Sequence, residues 1–312
     1  MPINSINEFK MNYTKIFHQK VLPELQKFEE ERKRTYAIAL SLSILVFSII
    51  AISLYFFMGM GQILENFLYG LVFIAAFGGF PAYKVYRGFQ KRFESKLKTT
   101  IMPILMPAFG DFKWMQLSPI RDGEIKMSKL YTQFDRMNAD DNFIGSYKDI
   151  PIRITEAELT FETTDSDGHR ETMTEFKGVL IGLGIPKHFT GYTIIKPKTV
   201  GGPYKEVKLE DLDFSKKFTV RSTDQVEARY LLTPAFMERY KNIQKAFGGE
   251  SISASFLDNK LLIAISVHKD LFSLGALNKP MGDTKQFTVF LNEIVSIFEM
   301  IEELKLYQNI GM

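Results

Sequence analysis

The sequence predicts an α+β protein: a two-helix transmembrane hairpin, then a soluble domain built from an antiparallel sheet plus helices. Three observations carry that expectation. Two stretches without Asp, Glu, Lys or Arg, residues 37–58 and 66–83, lie close together near the N-terminus, and about 20 apolar residues cross a bilayer core. From Phe143 onward, short segments alternate apolar and polar residues, the pattern of half-buried strands. Pairs of such strands are followed by amphipathic helices instead of alternating with them singly, which favours antiparallel pairing over βαβ units.

Residues 1–35 read as a cytoplasmic amphipathic helix. Ser5 and Glu8 have capping-box spacing, and Ile6, Phe9, Tyr13, Phe17, Val21, Leu25 and Phe28 form one apolar face. Pro23 is expected to bend it. The charge run from Glu29 to Arg34 is either a partner or lipid contact or a solvated stretch before the membrane. The transmembrane hairpin covers residues 36–83. Ala37/Ser41, Ala39/Ser43 and Ala75/Gly79 have the small-xxx-small spacing that lets helices approach in lipid. Neither span contains an ionisable residue, which argues against ion or proton transport. Arg32, Lys33 and Arg34 flank one outer side, and six basic residues between Lys84 and Lys98 flank the other. The connecting residues 59–65 contain no Lys or Arg, so the positive-inside rule predicts both termini in the cytoplasm.

Residues 84–98 read as a basic juxtamembrane helix with Phe89, Phe93 and Leu97 on one side. Lys84, Arg87, Lys91, Arg92 and Lys96 are candidate lipid headgroup contacts, or simply a topological signal. Residues 99–312 form the cytoplasmic α+β domain. Pro103 and Pro107 mark its entry. A helix is expected within 124–138, with Ile125, Leu130, Phe134 and Met137 on one side. Strands at 150–154 and 157–162, a turn at 165–168 and a strand from Met173 to Ile185 predict a long hairpin. Tyr192–Ile195 and Phe218–Arg221 are further strands, with a loop at 201–203. A helix broken near Pro234 runs from Asp224 to Phe247, with Val226, Tyr230 and Leu231 inward, then Phe236, Tyr240, Ile243 and Phe247. Ile252–Phe256, a turn at Asp258-Asn259 and Leu261–Val267 form a second hairpin. A helix from Phe287 to Leu306 closes the chain.

The composition limits chemistry more than it assigns it. The chain has 312 residues, a formal net charge of +3 and no cysteine. Near-neutral charge gives no field for nucleic acid, and the missing thiols remove disulfides, thiolate catalysis and cysteine zinc sites. Phosphate loops, serine nucleophile elbows, zinc helices and EF-hands are absent as motifs. Gly182-Leu183-Gly184 begins like a dinucleotide loop but lacks the third glycine. His18, His169, His188 and His268 are scattered. Asp140-Asp141-Asn142 has the oxygen ligands for a divalent cation and equally the residues of a turn. Glu227, Arg229 and Tyr230 form a candidate interaction surface, or alternatively a structural ion-pair junction. No residue is assigned to catalysis, a cofactor or a metal.

The chain resembles a bacterial family of two-span membrane proteins that carry a domain of unknown function. The resemblance rests on the helix-plus-hairpin order, Phe176-Lys177-Gly178, Gly191, the run Asp224-Gln225-Val226-Glu227-Ala228-Arg229-Tyr230-Leu231-Leu232-Thr233-Pro234, and the strand after Asp258-Asn259. Such proteins are often encoded near LemA-type membrane proteins. The resemblance implies a bacterial inner-membrane, multi-pass location and a LemA-like partner or self-association. It brings no catalytic residues. The expected function is a membrane-anchored interaction, scaffold or regulatory module. The alternatives are a small-ligand or lipid sensor coupled to the membrane helices, and an unrecognised membrane-proximal enzyme using carboxylates with His169 or His188.

Overall fold

An apolar stripe from Ile6 to Phe28, joined through the charge run Glu29–Arg34 to the apolar stretch 37–58, favours one long helix. In the computed structural model, which describes residues 5–58, 67–164, 168–198, 200–201, 203–268, 271–282 and 284–306, α1 (Ile6–Ile16) passes through a π-helical turn at Phe17–Val21 into α2 (Leu22–Met58). Ser5 caps the start by accepting the Glu8 amide at 3.2 Å. Pro23 lies just after the π-helical turn, inside this continuous helix, where its missing N–H removes one backbone hydrogen bond. The helix Ile6–Leu54 is long and apolar enough to cross a membrane, by length and composition. α3 (Phe67–Leu105) is also continuous and keeps Pro81 and Pro103 inside it. The basic stretch 84–98 is therefore part of one long helix, not a separate element. Residues 59–66, with the expected connecting loop, and 165–167, most of the expected turn, lie outside the described residues.

The chain divides into two units. The helical unit comprises Phe17–Ile104 and Ser273–Gln286. Within it, Phe28 packs edge-on against Phe93, with ring centroids 6.3 Å apart, and Phe93 and Leu97 are buried. A Cβ added at Gly78 would lie 3.0 Å from the Phe47 ring, so α2 and α3 approach closely there. The segment Ser273–Gln286 is held by polar side chains of the two helices. Arg32 donates to the Leu277 carbonyl, and Glu29 accepts the Met281 amide at 2.9 Å. Gln90 accepts the Leu277 amide at 2.8 Å. Glu29 and Arg32 also pair at 2.8 Å. The Arg32 hydrogen bond holds the Glu29 carboxyl down at about 2. The charge run from Glu29 to Arg34 is thus partly internal: Arg32 is buried.

The sheet unit comprises Met1–Ile16, Leu105–Phe272 and Phe287–Met312. Its elements are β1 (Lys113–Met115), α4 (Asp122–Met127), β2 (Arg136–Tyr147), β3 (Ile150–Thr164), β4 (Arg170–Pro197), β5 (Lys205–Glu206), α5 (Leu212–Lys217), β6 (Phe218–Ser222), α6 (Gln225–Leu231), α7 (Pro234–Ala246), β7 (Ser251–Ser266) and α8 (Lys285–Leu306). All described pairings are antiparallel, in the order β1-β2-β3-β4-β6-β5, with β7 on β4. Fully extended, the 16 residues of β7 would separate its ends by roughly 50 Å. Yet the Glu250 amide donates to the Ser266 carbonyl at 2.9 Å, so β7 doubles back at the exposed residues Asp258–Lys260, with Asp258 at φ 53°. Because Gly178 pairs with Ser266 while Ile195 pairs with Ala254, β4 also reverses, and its two arms enclose the β7 hairpin. The expected strands at 173–185 and 192–195 and the Asp258-Asn259 turn correspond to these arms and this reversal.

Side-chain alternation assigns the two cores. Phe143, Ile154, Ile181 and Ile263 lie across the sheet in one row. That face carries α8, where Phe290 sits 5.6 Å from Phe143 by ring centroid. α1 joins this layer: Phe9 packs on Phe109 and Phe298, and the Tyr13 hydroxyl donates to the Phe287 carbonyl at 2.7 Å. The alternate residues Leu159, Phe176, Leu180, Ile194 and Leu262 form the opposite core, packed against Ile120, Ile125 and Phe134 around α4.

Several expectations need correction. The helix expected within 124–138 is only the six residues of α4; Lys129 at φ 60° leaves helical space just after it, and Met137 is in β2. Asp140-Asp141-Asn142 is neither a turn nor an open cation site. It spans the bulge in β2 between Ala139 and Asn142, where buried Asp141 accepts the Trp114 indole N–H at 3.1 Å. Val226 and Tyr230 point outward, 63% and 49% exposed, and α6 instead buries Ala228 and Leu231. A seven-residue helix has room for one inward stripe, and the alanine took it.

Candidate functional site

The run 224–234 acquires its form from two caps. Asp224 accepts the amides of Val226 and Glu227, both at 2.9 Å, and starts α6. Thr233 accepts the Phe236 amide at 3.2 Å and starts α7, with Pro234 at the first helical position. Glu227 does not pair with Arg229. Its carboxylate accepts the amides of Thr190 and Gly191 at 3.1 and 3.0 Å, pinning the second arm of β4. A side chain at Gly191 would stand 2.9 Å from both Asp224 Cβ and Thr223 Oγ1. Of the three candidate interaction residues, Glu227 is therefore structural, while Arg229 and Tyr230 are exposed beside Val226.

The basic residues of α3 are placed differently from one another. Lys84, Arg87, Lys91 and Arg92 are exposed. Lys84 lies 4.5 Å from the Phe80 ring centroid and Arg87 5.9 Å from that of Tyr83. Lys96 pairs with Glu31 at 2.5 Å. His169, His188 and His268 are all exposed, and His268 pairs with Glu250 at 3.0 Å. Among the described residues, no group of three or more His, Asp or Glu is arranged to hold a metal ion.

One concave site was not expected from the sequence. A cleft of about 370 Å³ opens between α4 and the β7 hairpin. Met127, Leu257 and Leu262 supply its apolar lining, and Arg121, Asp258 and Lys260 are its exposed charges. Glu124 also borders it but is neutralised by Arg153, two contacts of 2.6 Å each. Ser255 lines the cleft, is 2% exposed, and its hydroxyl has no hydrogen-bond partner. On the same face, the Tyr131 hydroxyl engages Ser253 and Ser266, and burial pushes its pKa up to about 12. Half-buried Lys196 donates to the Leu130 carbonyl at 3.0 Å, and burial lowers its pKa. A signal for this polar island exists in the sequence: Ser251, Ser253 and Ser255 alternate with Ile252 and Ala254, so all three hydroxyls share one face of the strand.

One of the two elements that meet here, the β7 hairpin, falls within a recognisable block. A DUF3137 domain covers residues 174–306. That family model is described as a protein of unknown function, and the match takes in most of β4, then β5 to β7 and α5 to α8. β1, β2, β3 and α4 precede it, so the DUF3137 block supplies the β7 wall of the cleft and the residues before it supply α4. No curated protein matches the chain. Among solved structures, the mycobacterial trehalose monomycolate transport factor A, TtfA, is similar at 10% identity with a TM-score of 0.31, over 61% of this chain and 88% of that one.

Proposed function

We propose that this chain is a two-span, membrane-anchored interaction or regulatory module of a bacterial inner membrane, with both termini and the DUF3137 domain on the cytoplasmic side. The observation that carries the reading is the outward display of large apolar side chains along α2. Ile38, Ile44, Leu45, Ile49, Ile52 and Phe56 are each more than half exposed, and water would penalise so continuous an apolar surface. On α3, Val72, Phe77 and Phe80 are exposed in the same way, and the Phe47–Gly78 approach supports a hairpin. The 22 residues of 37–58 span roughly 33 Å as helix, enough for the hydrocarbon core. Lys84, Arg87, Lys91 and Arg92 follow the second apolar stretch directly, where cytoplasmic headgroups would meet them. The exposed Val226, Arg229 and Tyr230 offer a surface for a LemA-type protein or a second copy.

The test uses the absence of native cysteine. Gln62→Cys and Ser166→Cys are made singly and exposed in intact cells to a membrane-impermeant maleimide. Labelling of Gln62→Cys alone is expected. Labelling of Ser166→Cys alone would invert the orientation, and labelling of both would remove the two-span reading.

A further inference from the structure

We propose that the cleft between α4 and the β7 hairpin is a binding site for a small organic anion with an apolar body and a second hydrogen-bonding group. The site is independent of the membrane reading, because every residue it uses belongs to the sheet unit, whichever side of a bilayer that unit occupies.

The ligand class follows from what lines each part. Ser255 is the decisive group. A buried hydroxyl without a partner is costly, and the neighbouring hydroxyls Ser253 and Ser266 are occupied by Tyr131, whereas that of Ser255 is not. A ligand polar atom would satisfy it. Met127, Leu257 and Leu262 offer apolar contact only, so the body of the ligand is hydrocarbon, aliphatic or aromatic. Arg121, Lys260 and one carboxylate, Asp258, are the exposed charges at the rim, and Glu124 is held by Arg153. One positive charge is left in excess, which selects a monoanion. The volume of about 370 Å³ lies at the low end of ligand pockets, about 300–1,000 Å³. It suits a single small molecule and not a diacyl lipid.

The experiment titrates three probes into the full chain held in phosphatidylcholine nanodiscs, with empty discs as the blank, and reads binding by saturation-transfer NMR and calorimetry. The probes are 3-(4-hydroxyphenyl)propionate, 3-phenylpropionate without the hydroxyl, and 4-ethylphenol without the carboxylate. The first is expected to bind most tightly. Ser255→Ala should weaken it by about five- to tenfold and leave 3-phenylpropionate unchanged. Arg121→Glu with Lys260→Glu, both at exposed positions, should weaken both acids about tenfold and leave 4-ethylphenol unchanged. Binding no tighter than to empty discs, or equal binding of the acids to wild type and to both variants, would overturn the proposal. Ser255→Ala changes one atom, and an unaltered melting temperature separates a lost contact from a lost fold.

Discussion

At the residue scale, single atoms decide whether this sheet can close. Gly178 sits at φ 149°, and a Cβ there would lie 2.0 Å from the Ile265 carbonyl oxygen. No side chain is tolerated where the first arm of β4 meets the β7 hairpin. Gly178→Ala should therefore destabilise the sheet unit by about 2 kcal/mol or more, seen as a lower melting temperature; an unchanged melt would mean the arms are not paired as described. The Glu29–Arg32 pair governs the segment Ser273–Gln286 in a pH-dependent way. The folded Glu29 pKa, about 2, lies below the ordinary 4.5, so the stabilisation is complete above that value and fades as pH falls toward 2. Amide exchange at Leu277 and Met281 should accelerate over that window in wild type. In Glu29→Gln it should already be faster at neutral pH, with little further change on acidification.

At the element scale, caps and bulges matter more than propensity. α6 is seven residues long, too short to hold by itself in water. It stands because Asp224 closes its first turn and Glu227 ties it to the β4 backbone. Asp224→Ala should cost about 1 kcal/mol, and Glu227→Ala should release the Thr190 and Gly191 amides as well. Proton exchange of those two amides distinguishes the variants: only Glu227→Ala should speed both while α6 stays folded. The alternation of Ser253 and Ser255 with Ile252 and Ala254 was visible in the sequence as a half-buried strand, but the strand is covered on both faces. Alternation reports which residues share a side, not what covers that side.

At the scale of the whole molecule, the outward-facing apolar residues of α2 make a test that leaves packing intact. Ile44, Ile49 and Ile52 are 56–58% exposed, so Lys at all three removes little core. A charged residue near a span centre costs about 2.5–3.5 kcal/mol in insertion. The wild-type chain is expected to stay with membranes through an alkaline carbonate wash, and the triple Lys variant to be released or degraded. Retention of the variant equal to wild type would remove α2 as a membrane span.

Local pattern by itself determined a good deal of this protein. The α+β class, the hairpin of β3 with β4, the break before Pro234, the reversal at Asp258-Asn259 and the closing helix follow from alternation, caps and turn residues, all set within about ten positions of one another. Helical character over residues 6–58 was legible for the same reason, whereas its continuity through Pro23 was not. Only the tertiary structure decided that β4 folds back around the β7 hairpin, that Asp140-Asp141-Asn142 is a buried bulge, that Glu227 serves the backbone of β4, and that Arg32 reaches Leu277, 245 positions away. The cleft belongs to this second group. Arg121 and Ser255 are 134 residues apart, and the cleft exists only because α4 and the β7 hairpin pack side by side, a property that no single segment encodes.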